Sequence, residues 1–124
     1  MQIPPIMKKS IFLLFVLLTT LFLSCKTTKY VENTLCNQYE KDIILKFGTP
    51  LSTNLYFVNQ DYDFHSEIEP DYSKYLSEEM IKNGIDIKEI FWKQNKKNIY
   101  AWGYDDGFGI KIFASIIYSD DIVF

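Results

Sequence analysis

The segment between residues 59 and 71 carries the side chains most able to bind a metal. Four potential ligands alternate along it, and an extended backbone would direct them all to one side: Asp61, Asp63, His65 and Glu67. Carboxylates with one imidazole can hold a divalent cation. The segment lacks the central glycine of a calcium-binding loop, and the twelfth position counted from Asp61 is Tyr72 instead of glutamate. We therefore expect a solvated acidic loop and no metal or other cofactor.

Aromatic side chains form the second candidate site, and they make up 17% of the chain. Tyr100, Trp102 and Tyr104 alternate, so in a strand they share one face, and Trp92 could neighbour them across a sheet. An exposed aromatic face could bind a sugar, a peptide or a protein. The alternative is that these rings form the core beneath the helices. The other face of the same strand carries smaller side chains, which favours helix packing there and exposure of the aromatic face.

Catalytic arrangements are not evident in the sequence. The adjacent carboxylate pairs fall mostly at predicted turns, whereas glycoside hydrolysis needs two carboxylates that converge across a cleft. The sequence contains neither a G-x-S-x-G nucleophile motif nor a phosphate-binding loop. We therefore expect that the protein is not an enzyme.

The elements that would position these residues follow from hydrophobic periodicity and turn signals. Apolar side chains at helical spacing predict a first helix over residues 34–47, which Gly48 and Pro50 would end. Alternation predicts strands, with a bulge near Glu89. The further elements are a strand at 55–58, a helix from Pro70 to Asn83, and strands at 85–94, 98–104, 108–118 and 122–124. We predict an α+β fold in which two helices pack on one face of a sheet of 4–5 antiparallel strands, in the order α-β-α-β-β-β(-β).

The N-terminus carries a lysine pair at positions 8 and 9, an apolar run over residues 11–23, and then Ser24-Cys25. The run is shorter than the roughly 20 residues of a membrane span but suits a signal peptide. The segment 7–25 resembles the signal of bacterial lipoproteins, in which the cysteine is lipidated and becomes the first mature residue. Phe22 stands where that family usually has leucine. The alternatives are a plain secretory signal and an uncleaved anchor.

This resemblance implies the organisation of the chain. Residues 1–24 would be the signal peptide, with 1–6 upstream of a start at Met7. Residues 25–33 would be the lipidated cysteine and its tether, and 34–124 a single domain. The implied location is the bacterial cell envelope, most simply the outer membrane, with fatty acyl chains such as palmitate on Cys25 holding the protein to the lipid.

Charge restricts the partners. Of the 13 basic residues, which are all lysines, 11 follow the signal, and they face 16 acidic residues, so the mature chain carries a net charge of −5. Phosphate repels such a chain, and we expect no nucleic-acid partner. Anionic lipid headgroups should repel it as well, which leaves the acyl chains to hold it. Cys36 then has no second cysteine to pair with.

A second resemblance concerns architecture. The helix that ends in Lys46-Phe47-Gly48-Thr49-Pro50 before aromatic strands is similar to small α+β envelope lipoproteins of the outer-membrane assembly accessory type. The match covers five residues and the order of elements, and it transfers no functional residues.

We thus expect a small membrane-anchored lipoprotein that acts as a non-enzymatic protein-binding or scaffold module for an unidentified protein partner. One alternative is an immunity or inhibitor lipoprotein that neutralises a basic effector toxin. Another is a sugar- or cation-binding accessory protein.

Overall fold

A computed structural model describes residues 30–66 and 68–122. Within these ranges five strands form one antiparallel sheet, in the order β1-β5-β4-β3-β2. Two α-helices and a 3₁₀ turn lie between the strands. The elements are β1 (Tyr30–Glu32), α1 (Glu40–Phe47), β2 (Ser52–Val58), the 3₁₀ turn (Tyr72–Lys74), α2 (Glu78–Asn83), β3 (Ile85–Gln94), β4 (Lys97–Asp105) and β5 (Ile110–Ser119).

Both faces of the sheet are covered. On one, which we call the helix face, α1 and the turns before it pack onto β3, β4 and β5. On the other, the tyrosine face, the segment 60–83 crosses the sheet and buries Trp102 and Ile116. The helix-face core is Leu35, Ile43, Ile90, Trp92, Ile99, Ala101 and Ile112. The tyrosine-face core is Val58, Tyr72, Leu76, Ile87, Trp102, Ala114 and Ile116.

The predicted fold class, two helices on one face of the sheet in the order α-β-α-β-β-β(-β), is wrong. The structure is mostly antiparallel sheet, and its two short helices lie on opposite faces. The physical reason is that β4 is apolar on both faces: Ile99 and Trp102 are 3% and 1% exposed. One layer of helices cannot bury both sides of a sheet, so the two connecting segments divide between them.

The first helix begins at Glu40, six residues later than predicted. Asn37, within the predicted helix, has a left-handed backbone angle, with φ of 69°, which a continuous helix excludes. Leu35 is buried as its spacing predicted, but a turn places it there. Cys36 donates its thiol to the carbonyl oxygen of Phe113 at 3.0 Å, and burial raises the pKa of this thiol.

Other elements differ from their predicted bounds for local reasons. The second predicted helix divides into the 3₁₀ turn and α2, which Ser77 caps by accepting the amide of Met80 at 3.2 Å. Pairing of β2 with β3 passes Glu89 without a shift, so the bulge predicted there is wrong. The register shift instead falls between Trp102 and Gly103, against β5. The strand expected at 122–124 lies largely outside the described residues.

Residues assigned to the tether take part in the sheet, because β1 pairs with β5. The signal segment and Cys25 lie outside the described residues. None of the helices within residues 30–66 and 68–122 has the length and apolarity that a membrane crossing requires.

Candidate functional site

The four aromatic residues predicted to form a binding surface do not stay together. Trp92 lies on the helix face, 1% exposed, and its indole N–H donates to the carbonyl oxygen of Gly48 at 2.9 Å. Trp102 lies on the tyrosine face and is also 1% exposed. Tyr100 and Tyr104 are half-buried on that same face. Both tryptophans are therefore core residues.

A row of nearly parallel rings remains on the tyrosine face. Tyr100 stacks on Phe91 with centroids 4.5 Å apart and planes 23° apart. Its ring is also within 3° of parallel to Tyr118, at 6.3 Å. Burial raises the pKa values of Tyr100 and Tyr118, so both hydroxyls are neutral at physiological pH.

Glu89 is a buried carboxylate at the centre of this face. It accepts the indole N–H of Trp102 at 2.9 Å and the hydroxyl of Tyr56 at 3.4 Å. Trp102 is its direct cross-strand neighbour on β4. Burial, followed by the charges of Glu89 and Glu69, raises the pKa of Tyr56. Glu89 therefore supplies the acceptor that the buried indole needs.

Glu69 is a second buried carboxylate, and it organises the segment that crosses the tyrosine face. It accepts the hydroxyls of Tyr62 at 2.8 Å and Tyr72 at 3.1 Å, and the backbone amide of His65 at 3.0 Å. Burial is the main cause that raises the pKa of each tyrosine, and Glu69 adds to both. These contacts tie three points of the chain to one side chain, which indicates a structural role.

The described candidates for metal ligands do not converge. Asp61, Asp63 and His65 are all exposed, and the imidazole stacks on Tyr56 with centroids 4.9 Å apart. Glu67 lies outside the described residues. Within residues 30–66 and 68–122, no three Asp, Glu, His or Cys side chains are grouped as metal ligands.

A cleft of about 240 Å³ opens between β1 and the segment 68–75. Trp102 lines it, with Glu32, Glu69 and Lys74 among the charged residues around it. Because Glu69 is already satisfied by three donors, it offers little to a ligand there.

The most accessible candidate site is the free edge of the sheet along β2, which sequence analysis missed. Leu55 and Phe57 project from this edge strand on the helix-face side and are 75% and 57% exposed. Leu51, which precedes the strand, is 68% exposed. We call the outer edge of β2 with Leu55 and Phe57 the edge surface. Leu51, Leu55 and Phe57 are all at odd-numbered positions, so an extended backbone directs them to one side, and this was the signal that could have revealed the surface.

This edge lacks the usual protection against strand pairing. Natural edge strands carry lysine, proline or bulges, or are very short. The strand 52–58 has seven residues, contains no charged residue and no proline, and pairs with β3 without a bulge. Its main-chain groups are therefore presented in a straight, uncharged row.

Comparison of the chain with protein-family models, curated proteins and solved structures found no match in any of the three. Function is therefore inferred from the surfaces of the molecule itself.

Proposed function

We propose that this protein is a lipid-anchored, non-enzymatic binding module, which captures an extended segment of a partner protein as a sixth strand on the edge surface. The observation that supports this most directly is a seven-residue, uncharged edge strand with two large apolar side chains exposed. Strand addition takes affinity from main-chain hydrogen bonds and specificity from alternate side chains. Lipidation of Cys25 remains part of this proposal.

The charges around the edge surface define the partner. Beyond Val58 the chain continues into the acidic loop with Asp61 and Asp63, and Asp86 is the direct neighbour of Phe57 on β3. A partner segment should therefore alternate apolar side chains, which pack on Leu55 and Phe57, and carry lysine or arginine near the Val58 end. Complementary charge would fix the register and the direction of the added strand.

A second copy of this chain fits the edge less well. Antiparallel pairing of β2 with β2 would point the two β1 strands in opposite directions along the strand axis. A ten-residue strand such as β3 spans about 33 Å. The five residue steps from Cys25 to Tyr30 reach only about 17 Å. Two copies that stand with their strands along the membrane normal could not both reach one membrane in this way, which favours a different protein as partner.

Peptide selection tests this proposal. Extended peptides displayed on phage would be selected on the purified protein, and binding of the selected peptides measured by fluorescence polarisation. We expect alternating apolar residues with a basic end, and protection of the 52–58 amides from hydrogen exchange on binding. The variant Leu55→Lys/Phe57→Lys should abolish binding.

The matched control is Phe108→Lys, because Phe108 is 83% exposed on the β4–β5 hairpin, away from β2. If Phe108→Lys weakens binding as much as the edge variant, the proposed surface is wrong. The proposed surface is also wrong if peptide binding protects amides elsewhere in the protein from hydrogen exchange but not those of β2. Mass spectrometry of the wild type and of Cys25→Ser tests the anchor separately, since only the wild type should carry acyl mass.

A second candidate function, sugar binding, is favoured by the parallel rings of Phe91, Tyr100 and Tyr118. Because these rings stack on one another, Tyr100 and Tyr118 would offer a sugar their ring edges and hydroxyls. Calorimetric titration with envelope oligosaccharides tests it. A heat of binding that the wild type shows and Tyr100→Ala lacks would support sugar binding. If the wild type shows no heat of binding, sugar binding is excluded for those sugars.

A further inference from the structure

The end of the sheet where the chain enters β1 has a distinctive surface. The strand registers place Tyr30, Ser52, Gln94, Lys97 and Ser119 at this same end. We call it the entry end, and it also includes the β3–β4 hairpin and the last turn of α1. The helix belongs to this end because the indole N–H of Trp92 and the side-chain amide of Gln94 donate to carbonyl oxygens at the end of α1.

Positive charge is concentrated at the entry end. The lysines there are Lys46, Lys93, Lys96 and Lys97, against Asp120 and Asp121, and Lys93 forms an ion pair with Asp120. The opposite end carries Asp86, Asp105 and Asp106 together with the acidic loop, and the lysines there are Lys82 and Lys111. The net charge of the chain therefore hides a strong asymmetry along the strands.

Apolar side chains accompany these lysines. Leu45 in the last turn of α1 is 87% exposed, Leu51 at the start of β2 is 68% exposed, and Tyr30 is 39% exposed. A shallow hollow of about 490 Å³ lies beside them, lined by Gln94, Asn95, Lys96, Lys97 and Ser119. Lysine, leucine and tyrosine together are typical of surfaces that rest at the headgroup level of a membrane.

We propose that the entry end rests on an anionic phospholipid surface, so that the domain is held upright on the membrane instead of hanging freely from its anchor. This inference builds on the lipid anchor of the proposed function. Tyr30 follows Cys25 closely enough to keep the entry end within about 17 Å of the acyl chains.

Screening explains why the acidic remainder of the domain does not prevent this contact. The far end lies about 30 Å from the entry end, by the length of the long strands. The Debye length at 0.1 M salt is about 10 Å, so charges at the far end contribute little at the lipid surface. The local charge at the entry end, not the net charge of −5, decides the interaction.

Vesicle co-sedimentation of the mature chain with Cys25→Ser measures the contact without the acyl chains. The change leaves every described residue intact, and a thermal melt of this protein accompanies the binding data. We expect binding to mixed phosphatidylglycerol–phosphatidylcholine vesicles, none to phosphatidylcholine alone, and loss on adding salt. Lys96→Gln/Lys97→Gln should lower the partition coefficient about 25-fold, at about fivefold for each lysine near an anionic surface.

The matched control is Lys82→Gln/Lys111→Gln, which makes the same change in net charge with two lysines at the opposite end of the strands. It should bind as the wild type does. Leu45→Ser should weaken binding in a way that low salt does not restore.

Equal binding to neutral vesicles, equal effects of the two lysine pairs, or no binding at low salt would each overturn the proposal. The peptide-binding variant Leu55→Lys/Phe57→Lys should not lose vesicle binding. Failure of the membrane contact and failure of the edge surface are therefore told apart.

Discussion

Replacing Glu69 tests whether the buried carboxylate holds the segment that covers the tyrosine face. One oxygen of Glu69 accepts the hydroxyls of Tyr62 and Tyr72, and the other accepts the amide of His65. In Glu69→Gln one oxygen becomes an N–H₂ group, so either the two hydroxyls or the amide lose their acceptor. The remaining hydrogen bonds also lose their charge.

The expected loss is about 2 kcal/mol of unfolding free energy, because a hydrogen bond to a charged group contributes about 1.5–3 kcal/mol and part is regained by removing a buried charge. Glu69→Ala leaves the three donors without an acceptor, including the hydroxyl of Tyr72, which is 3% exposed. We expect it to lose about 4 kcal/mol, a large share of the 5–15 kcal/mol typical of a domain.

Urea denaturation followed by circular dichroism measures both losses, and hydrogen exchange shows whether residues 60–76 open first. Asp63→Asn is the control, since Asp63 is exposed on the same segment and should change stability by less than about 0.5 kcal/mol. If Glu69→Gln equals or exceeds the wild type in stability, the cost of burying the charge outweighs its bonds. The structural role argued for Glu69 would then be refuted.

Three further predictions concern stability. Burial and Glu69 raise the pKa values of Tyr62 and Tyr72 above the ordinary 10.0. The two neutral hydroxyls therefore contribute fully to the free energy of unfolding below pH 10, and this contribution is lost as the pH rises above 10. Phenolate absorbance of the folded protein should therefore lag behind that of the unfolded chain in an alkaline titration. Gly84→Ala should cost about 1–2 kcal/mol or more, because Gly84 has φ of 81° and an added Cβ would overlap the ring of Phe57. In denaturant titrations, combining it with Phe57→Ala should cost less than the sum of the two single changes. Ile43→Ala should lower the free energy of unfolding by about 2–5 kcal/mol in the same assay, since Ile43 is fully buried on the inner side of α1.

The sequence predicted elements whose signals are local. Strand β3 has the predicted bounds of 85 and 94, and β4 extends the predicted strand by one residue at each end. Gly48 and Gly84 end the two helices with φ of 85° and 81°, as glycine after a helix indicates. These features depend on backbone freedom and alternation within a few residues.

Features that depend on distant contacts were not predictable in this way. The residues of β1 form a strand only because they pair with β5, nearly ninety positions later in the chain. The face taken by each helix depends on both sides of β4 being apolar. The alternating side chains of β4 were interpreted as one buried and one exposed face of the sheet. The same assumption placed Trp102 on the exposed face.

The edge surface escaped prediction for a related reason. The apolar residues of β2 were read as strand formers, which is correct, but nothing within residues 55–58 shows that this strand is at the edge. Exposure of Leu55 follows from the length of α1, which has eight residues. Such a short helix, at about 12 Å, cannot extend across all five strands.

The two proposed surfaces can be occupied together, since they lie on different sides of the same sheet. The edge surface is four strand spacings from β1, or about 19 Å across the sheet. With the entry end on the lipid, β2 would run away from the membrane, and Val58 would be its outermost residue. A captured strand would then extend along the membrane normal, with its basic end towards the acidic loop and away from the lipid. Leu51 lies where the two surfaces meet, so its replacement should weaken both membrane contact and strand capture, whereas Leu45 and Leu55 each affect one of them.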